Sequence, residues 1–105
     1  MLNYNMEYRK GILFIRLFGS LNKNTAFNFN TYFIPMIIKN GIKNIVYNLS
    51  YLDELDDIGL EALNDGRKAV AEVYLFNVPQ NINLTLSWEN RIIKDELVAI
   101  KLMEI

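Results

Sequence analysis

Four carboxylates crowd into the five consecutive positions Asp53-Glu54-Leu55-Asp56-Asp57, the densest group of chemically capable side chains in the chain. Oxygen-rich clusters of this kind hold Mg²⁺ or Ca²⁺, but a helix-loop-helix calcium site needs alternating Asp/Asn ligands, a central glycine and a distant glutamate, and the spacing here has none of these. Paired carboxylates also serve as general acid and base when their surroundings set two different pKa values. The chain has no histidine and no cysteine. That removes the imidazole base, every Ser-His-Asp or Cys-His arrangement and all thiolate metal ligands. Gly19, Gly41, Gly59 and Gly66 are isolated, with no Gly-Lys-Ser/Thr to cradle a phosphate. The chemistry therefore points away from catalysis, metals and cofactors. Two readings of the cluster stay open: Asp56 or Asp57 capping the following helix with the other carboxylates solvated, or a segment that binds another protein.

The rest of the composition narrows the partner. A length of 105 residues with 51% hydrophobic content suits one domain spanning 1–105 with one core. A net charge of -1 offers no basic field, so nucleic acid is not an expected partner. The first residues lack a basic stretch followed by an apolar run, and no apolar segment of about 20 residues follows. A cytoplasmic protein without direct membrane insertion is the expectation.

The elements that must position the cluster can be read from periodicity. Leu2 to Arg9 alternates, with Leu2, Tyr4, Met6 and Tyr8 on one side, as a half-buried strand does. Arg9-Lys10-Gly11 turns the chain into the apolar run Ile12 to Phe18, which predicts an N-terminal hairpin. Gly19-Ser20-Leu21-Asn22 is expected to close that strand, and Asn24 or Thr25 to cap a helix with Phe29, Phe33, Met36 and Ile37 on its buried face. This helix should end near Asn40-Gly41, with a kink or early break at Pro35. Ile42 to Leu49 reads as a central strand suited to parallel pairing, Ser50 to Asp57 as a polar loop, and Ile58 to about Lys68 as a second helix frayed near Asn64-Asp65-Gly66. Val70 to Val78 is a further strand ended by Pro79. A weak helix over Pro79 to Trp88, a short edge strand over Arg91 to Lys94 and a last helix over Asp95 to Met103 complete the pattern. Most aromatic residues are expected in the core, and Trp88 either there or as a surface anchor. The whole is an α/β fold with a mixed central sheet of four to five strands and three to four helices.

The order of elements, the Gly19-Ser20-Leu21-Asn22 turn followed by Thr25, and the run Ile45-Val46-Tyr47-Asn48-Leu49 leading to Leu55-Asp56-Asp57-Ile58-Gly59-Leu60 resemble the STAS family of anti-sigma-factor antagonists and their relatives. The resemblance spans essentially the whole chain. It implies a non-enzymatic bacterial regulator of transcription, in sporulation or stress signalling, that docks on an anti-sigma factor which is also a serine-kinase-like protein. The partner-binding residues it implies are Asp56, Asp57, Ile58, Gly59 and Leu60, with Asn22 and Thr25. Antagonists of this type read Asp-Ser-Ser/Thr-Gly-Leu/Ile here, and phosphorylation of the hydroxyl residue before the glycine blocks the complex. In this sequence Asp57 stands at the first serine, and Ile58 occupies the phosphoacceptor position, where no phosphate can be attached. An exposed Ile58 would give a binder that a kinase cannot switch off; if instead the Asp57 charge reshapes the surface, the chain would act like a phosphorylated form. An accessory or scaffold subunit of a larger signalling or transporter-associated complex is the alternative.

Overall fold

The computed structural model describes residues 1–69, 72–78, 91–93, 98 and 101. The expected helices over Pro79–Trp88 and Asp95–Met103, and Trp88 itself, lie outside the described residues, apart from Val98 and Lys101, which are helical. The described elements are β1 (Leu2–Arg9), β2 (Ile12–Leu21), α1 (Ala26–Lys39), β3 (Asn44–Leu55), α2 (Asp57–Ala69), β4 (Glu72–Phe76) and β5 (Ile92–Ile93). They form one mixed sheet in the order β1-β2-β3-β4-β5, with β1 antiparallel to β2 and the other neighbours parallel. None of the described helices is long and apolar enough to cross a membrane.

The hairpin closes through Lys10 and Gly11, whose φ values of 51° and 81° are those of a two-residue turn matched to the twist of the strands. One face of the sheet, carrying Leu13, Ile15, Leu17, Ile45, Tyr47, Leu49, Val73 and Leu75, packs on Phe29, Phe33 and Ile37 of α1 and Leu60 and Leu63 of α2. The opposite face holds a smaller cluster of Ile12, Phe14, Val46, Phe76 and Ile93.

Three local expectations need correction. β2 does not stop at Phe18 but runs to Leu21, and Ser50–Leu55 is strand instead of loop, because the two segments pair with each other up to Leu21↔Leu55. The pairing tolerates two irregularities, one of them at Gly19, whose φ of 91° a side chain would resist. Phe18 stacks on Tyr51 with ring centroids 4.9 Å apart, so the extension has packing of its own. The helix α1 continues through Pro35 to Lys39 without the early break. Pro35 and Thr31 are both exposed, so the Thr31 carbonyl that loses its helical bond faces water. The helix α2 likewise passes through Asn64-Asp65-Gly66 to Ala69.

Candidate functional site

Because β2 and β3 are parallel neighbours, the loops that follow them emerge at the same end of the sheet, and α1 and α2 start side by side. Asp56 ties the two starts together. Its Oδ1 accepts the backbone N–H of Gly59 at 2.7 Å, a helix cap, and its Oδ2 accepts the backbone N–H of Lys23 at 3.0 Å from the loop before α1. The Asp56 N–H in turn donates to the Leu21 carbonyl at 3.3 Å. One side chain thus satisfies donors from both loops, and its charge lies against the positive end of the α2 dipole.

Gly59 is required by close approach. A Cβ there would lie 2.1 Å from the Leu21 carbonyl oxygen, so no other residue lets α2 begin this near the end of β2. Leu60 is buried in the core below it. These two residues hold the segment in place, and the side chains left facing outward are Asp57 and Ile58, the latter 53% exposed.

Asn22 and Thr25 stand beside this segment but spend their polar groups on the loop. The Thr25 hydroxyl donates to the Ser20 carbonyl at 2.8 Å and accepts the Asn22 N–H at 3.0 Å, so it does not cap α1 as expected, although Thr25 occupies the cap position. The Asn22 Oδ1 accepts the Asn24 N–H at 2.9 Å, and its Nδ2 donates to Glu54. The carboxylates that opened the case for a metal do not converge: among the described residues no three acidic side chains come together.

One feature of the site was missed by the expectation that aromatic residues fill the core. Phe27 is 79% exposed and lines, with Ile58, Ala26 and Ala62, a groove of about 450 Å³ between α1 and α2 that Lys23, Asp57 and Glu61 border. The helical period held the signal, since Phe27 lies about 200° around the helix from the buried Phe29 and off the Phe29, Phe33, Ile37 stripe. Across the floor of the groove the Asn30 amide donates to the Ala62 carbonyl at 3.3 Å and to Asp65 at 3.1 Å, which sets the spacing of the two helices.

The fold is shared with proteins of known structure. The chain is similar to SpoIIAA, the Bacillus cell fate determinant, in its phosphorylated form, at 18% identity and a TM-score of 0.74 over 97% of this chain and 100% of that one. It is similar to SpoIIAA, named there as an anti-sigma factor antagonist, in the unphosphorylated form as well, with the same identity and TM-score over 98% and 100% of the two chains. A putative anti-sigma factor antagonist from Thermotoga maritima superimposes with a TM-score of 0.82 at 15% identity, over 97% of this chain and 95% of that one. The STAS domain family model matches residues 3–91, most of the chain and every strand of the sheet up to β4, and the chain belongs to the STAS domain family.

Proposed function

We propose that this STAS domain is a regulatory protein-binding module, working by docking and not by catalysis, of the kind its structural relatives represent. Its partner is an anti-sigma factor or a related serine-kinase-like regulator, and the contact is made by the start of α2 with the neighbouring Asn22–Thr25 loop. The observation that carries this reading is Ile58. Held on the first turn of α2 by the Asp56 cap and the Gly59 contact, Ile58 is 53% exposed and lines one groove with Phe27, 79% exposed, so the two form a contiguous apolar surface beside the helix start. Such a residue gives a docking contact in place of a phosphorylation switch. Asp57 beside it carries one fixed charge, less than the ≈ -1.5 to -2 of a phosphate, which favours a binder that stays competent.

The test is affinity capture with the tagged chain from its native lysate, followed by kinase assays on the captured partner. Recovery of a regulator with a kinase fold, no phosphate on the natural chain and phosphate on Ile58→Ser are the expected results. Phosphate on Ser50 or another hydroxyl of the natural chain would show that the switch has moved. Recovery of a stoichiometric membrane-associated or oligomeric assembly without a kinase would replace the reading by that of an accessory subunit.

A further inference from the structure

Among the described residues β1 is an open edge of the sheet, and it is unusually unguarded. Its pairing with β2 runs without a bulge from Leu2↔Gly19 to Arg9↔Ile12, and it contains no proline or lysine, two of the devices that usually blunt an edge. The Ser20 N–H donates to the Met1 carbonyl at 3.1 Å, so the alternation of an antiparallel ladder turns the backbone groups of Asn3, Asn5, Glu7 and Arg9 toward β2. The N–H and C=O groups of Leu2, Tyr4, Met6 and Tyr8 then point away from the sheet, along an edge that no described strand covers. The side chains of Tyr4, Met6 and Tyr8 share the helix-bearing face and remain 40%, 43% and 58% exposed.

We infer that β1 is a self-pairing edge that joins two copies of this chain through a two-fold axis at Asn5 into one continuous sheet. The inference is independent of the docking reading, which concerns the start of α2. Antiparallel pairing about Asn5 sets Tyr4 opposite Met6 and Leu2 opposite Tyr8 of the second copy, which matches every outward donor of these residues with an outward acceptor. Charge is compatible in this register. Glu7, already engaged by Arg9 at 3.0 Å and by Arg16 at 3.3 Å, comes to lie opposite Asn3, and among the paired positions Leu2 to Tyr8 no like charges oppose one another.

The side chains are self-complementary as well. At the Leu2 end of β1 a groove of about 370 Å³ opens between the strand and α1, floored by Leu2 and the buried Phe29 and flanked by the more exposed Tyr4, Tyr32, Asn24 and Asn28. At the other end stands Tyr8, the most exposed of the three large side chains in the row. A two-fold axis at Asn5 carries Tyr8 of each copy to the Leu2 end of the other, where an apolar floor and an amide rim suit a phenol ring with its hydroxyl outward. A knob and a hole placed symmetrically about one centre fit a second copy of the same surface.

At ~150–250 Å² per large side chain, the exposed parts of Tyr4, Met6 and Tyr8 amount to ~300 Å² per copy. Together with the backbone edge, this places the pair at the low end of specific interfaces, below ~1,200 Å² in total, and so makes the dimer weak and reversible, with Kd between ~10 µM and ~1 mM.

Sedimentation equilibrium of the full chain from ~10 µM to ~1 mM tests the inference, with amide hydrogen exchange read at both ends of that range. The expected result is a monomer–dimer equilibrium in which the amides of Tyr4, Met6 and Tyr8 become protected as concentration rises, while those of Asn5 and Glu7 are protected throughout. Met6→Pro removes an outward donor and leaves the hairpin bonds intact, and Tyr8→Ala removes the knob. Each should weaken the dimer tenfold or more, with the circular dichroism spectrum unchanged. A monomer at every concentration, a dimer whose edge amides exchange freely, or a dimer indifferent to both substitutions would overturn it, and protection of the edge only when a different protein is added would assign it to that partner instead.

Discussion

Replacing Gly59 by alanine sets two effects of opposite sign against each other. In an exposed helix interior, Gly→Ala gains about 0.8–1.0 kcal/mol from restricted unfolded-state freedom and better helix propensity. Here the added Cβ would sit 2.1 Å from the Leu21 oxygen, 2.8 Å from its carbonyl carbon and 3.1 Å from its Cγ. Two of these atoms are backbone in the sheet, so the clash cannot be relieved by a rotamer change. The start of α2 must retreat by about 1 Å to reach ordinary contact. Overpacking of this kind costs about 1–3 kcal/mol, and the retreat also stretches the Asp56 cap to Gly59 and its bond to Lys23, with up to about 2 kcal/mol more at stake. After the propensity gain is subtracted, Gly59→Ala should destabilise the chain by about 2–3 kcal/mol, which corresponds to a Tm lower by roughly 10–20 °C for a domain of this size. Urea unfolding followed by far-UV circular dichroism measures it, provided the m-value is unchanged. Gly41→Ala is the control. Its φ of 63° is strained for alanine, but nothing lies within 4 Å of the new Cβ, so only the backbone cost of about 1 kcal/mol is expected. A Gly59→Ala protein as stable as the parent would refute the close approach as the reason for glycine.

Asp56→Ala should lose about 1–2 kcal/mol, with faster amide exchange at both Gly59 and Lys23, because one carboxylate caps two segments; loss of protection at Gly59 alone would show that the link to the first loop is idle. Tyr47 is fully buried and its hydroxyl has no hydrogen-bond partner among the described residues, so Tyr47→Phe should stabilise the chain by about 1 kcal/mol in chemical denaturation. Burial, with Asp65 adding to it, pushes the Tyr47 phenol well above its ordinary value of 10.0. A raised folded pKa means that stability is fully present below pH ~10 and declines as pH rises above it. The parent should therefore lose stability above that pH more steeply than Tyr47→Phe, and parallel curves would contradict the assignment. Phe27→Ala and Ile58→Ala remove mostly exposed side chains, so stability should change by no more than ~0.5 kcal/mol while partner capture falls at least tenfold; undiminished capture would remove the groove from the docking surface.

Local residue chemistry was enough to determine the hairpin, the buried stripe of α1, the parallel central strand and a carboxylate at the start of α2, the choice between Asp56 and Asp57 as its cap being left to the structure. Each of these depends on neighbours within a few positions: alternation from Leu2 to Arg9, the Lys10-Gly11 turn, the three- and four-residue steps from Phe29 to Ile37, and an Asp before Gly-Leu. The absence of histidine and cysteine needed no structure to interpret. Tertiary structure alone decided how far β2 and β3 extend, because strand length past Phe18 and Leu49 is set by the partner strand and not by the carboxylates along Asp53-Glu54. It decided that Thr25 holds the Ser20 carbonyl instead of capping α1, that Pro35 is tolerated on a solvated turn, and that Gly59 answers to Leu21, thirty-eight positions earlier in the chain. It also exposed Phe27 beside Ile58 and, among the described residues, left β1 with an unpaired edge. Periodicity tells which side of an element is apolar. Which apolar side chains remain in water after the elements pack depends on distances between segments far apart in sequence, and on those distances the surface available to a partner depends.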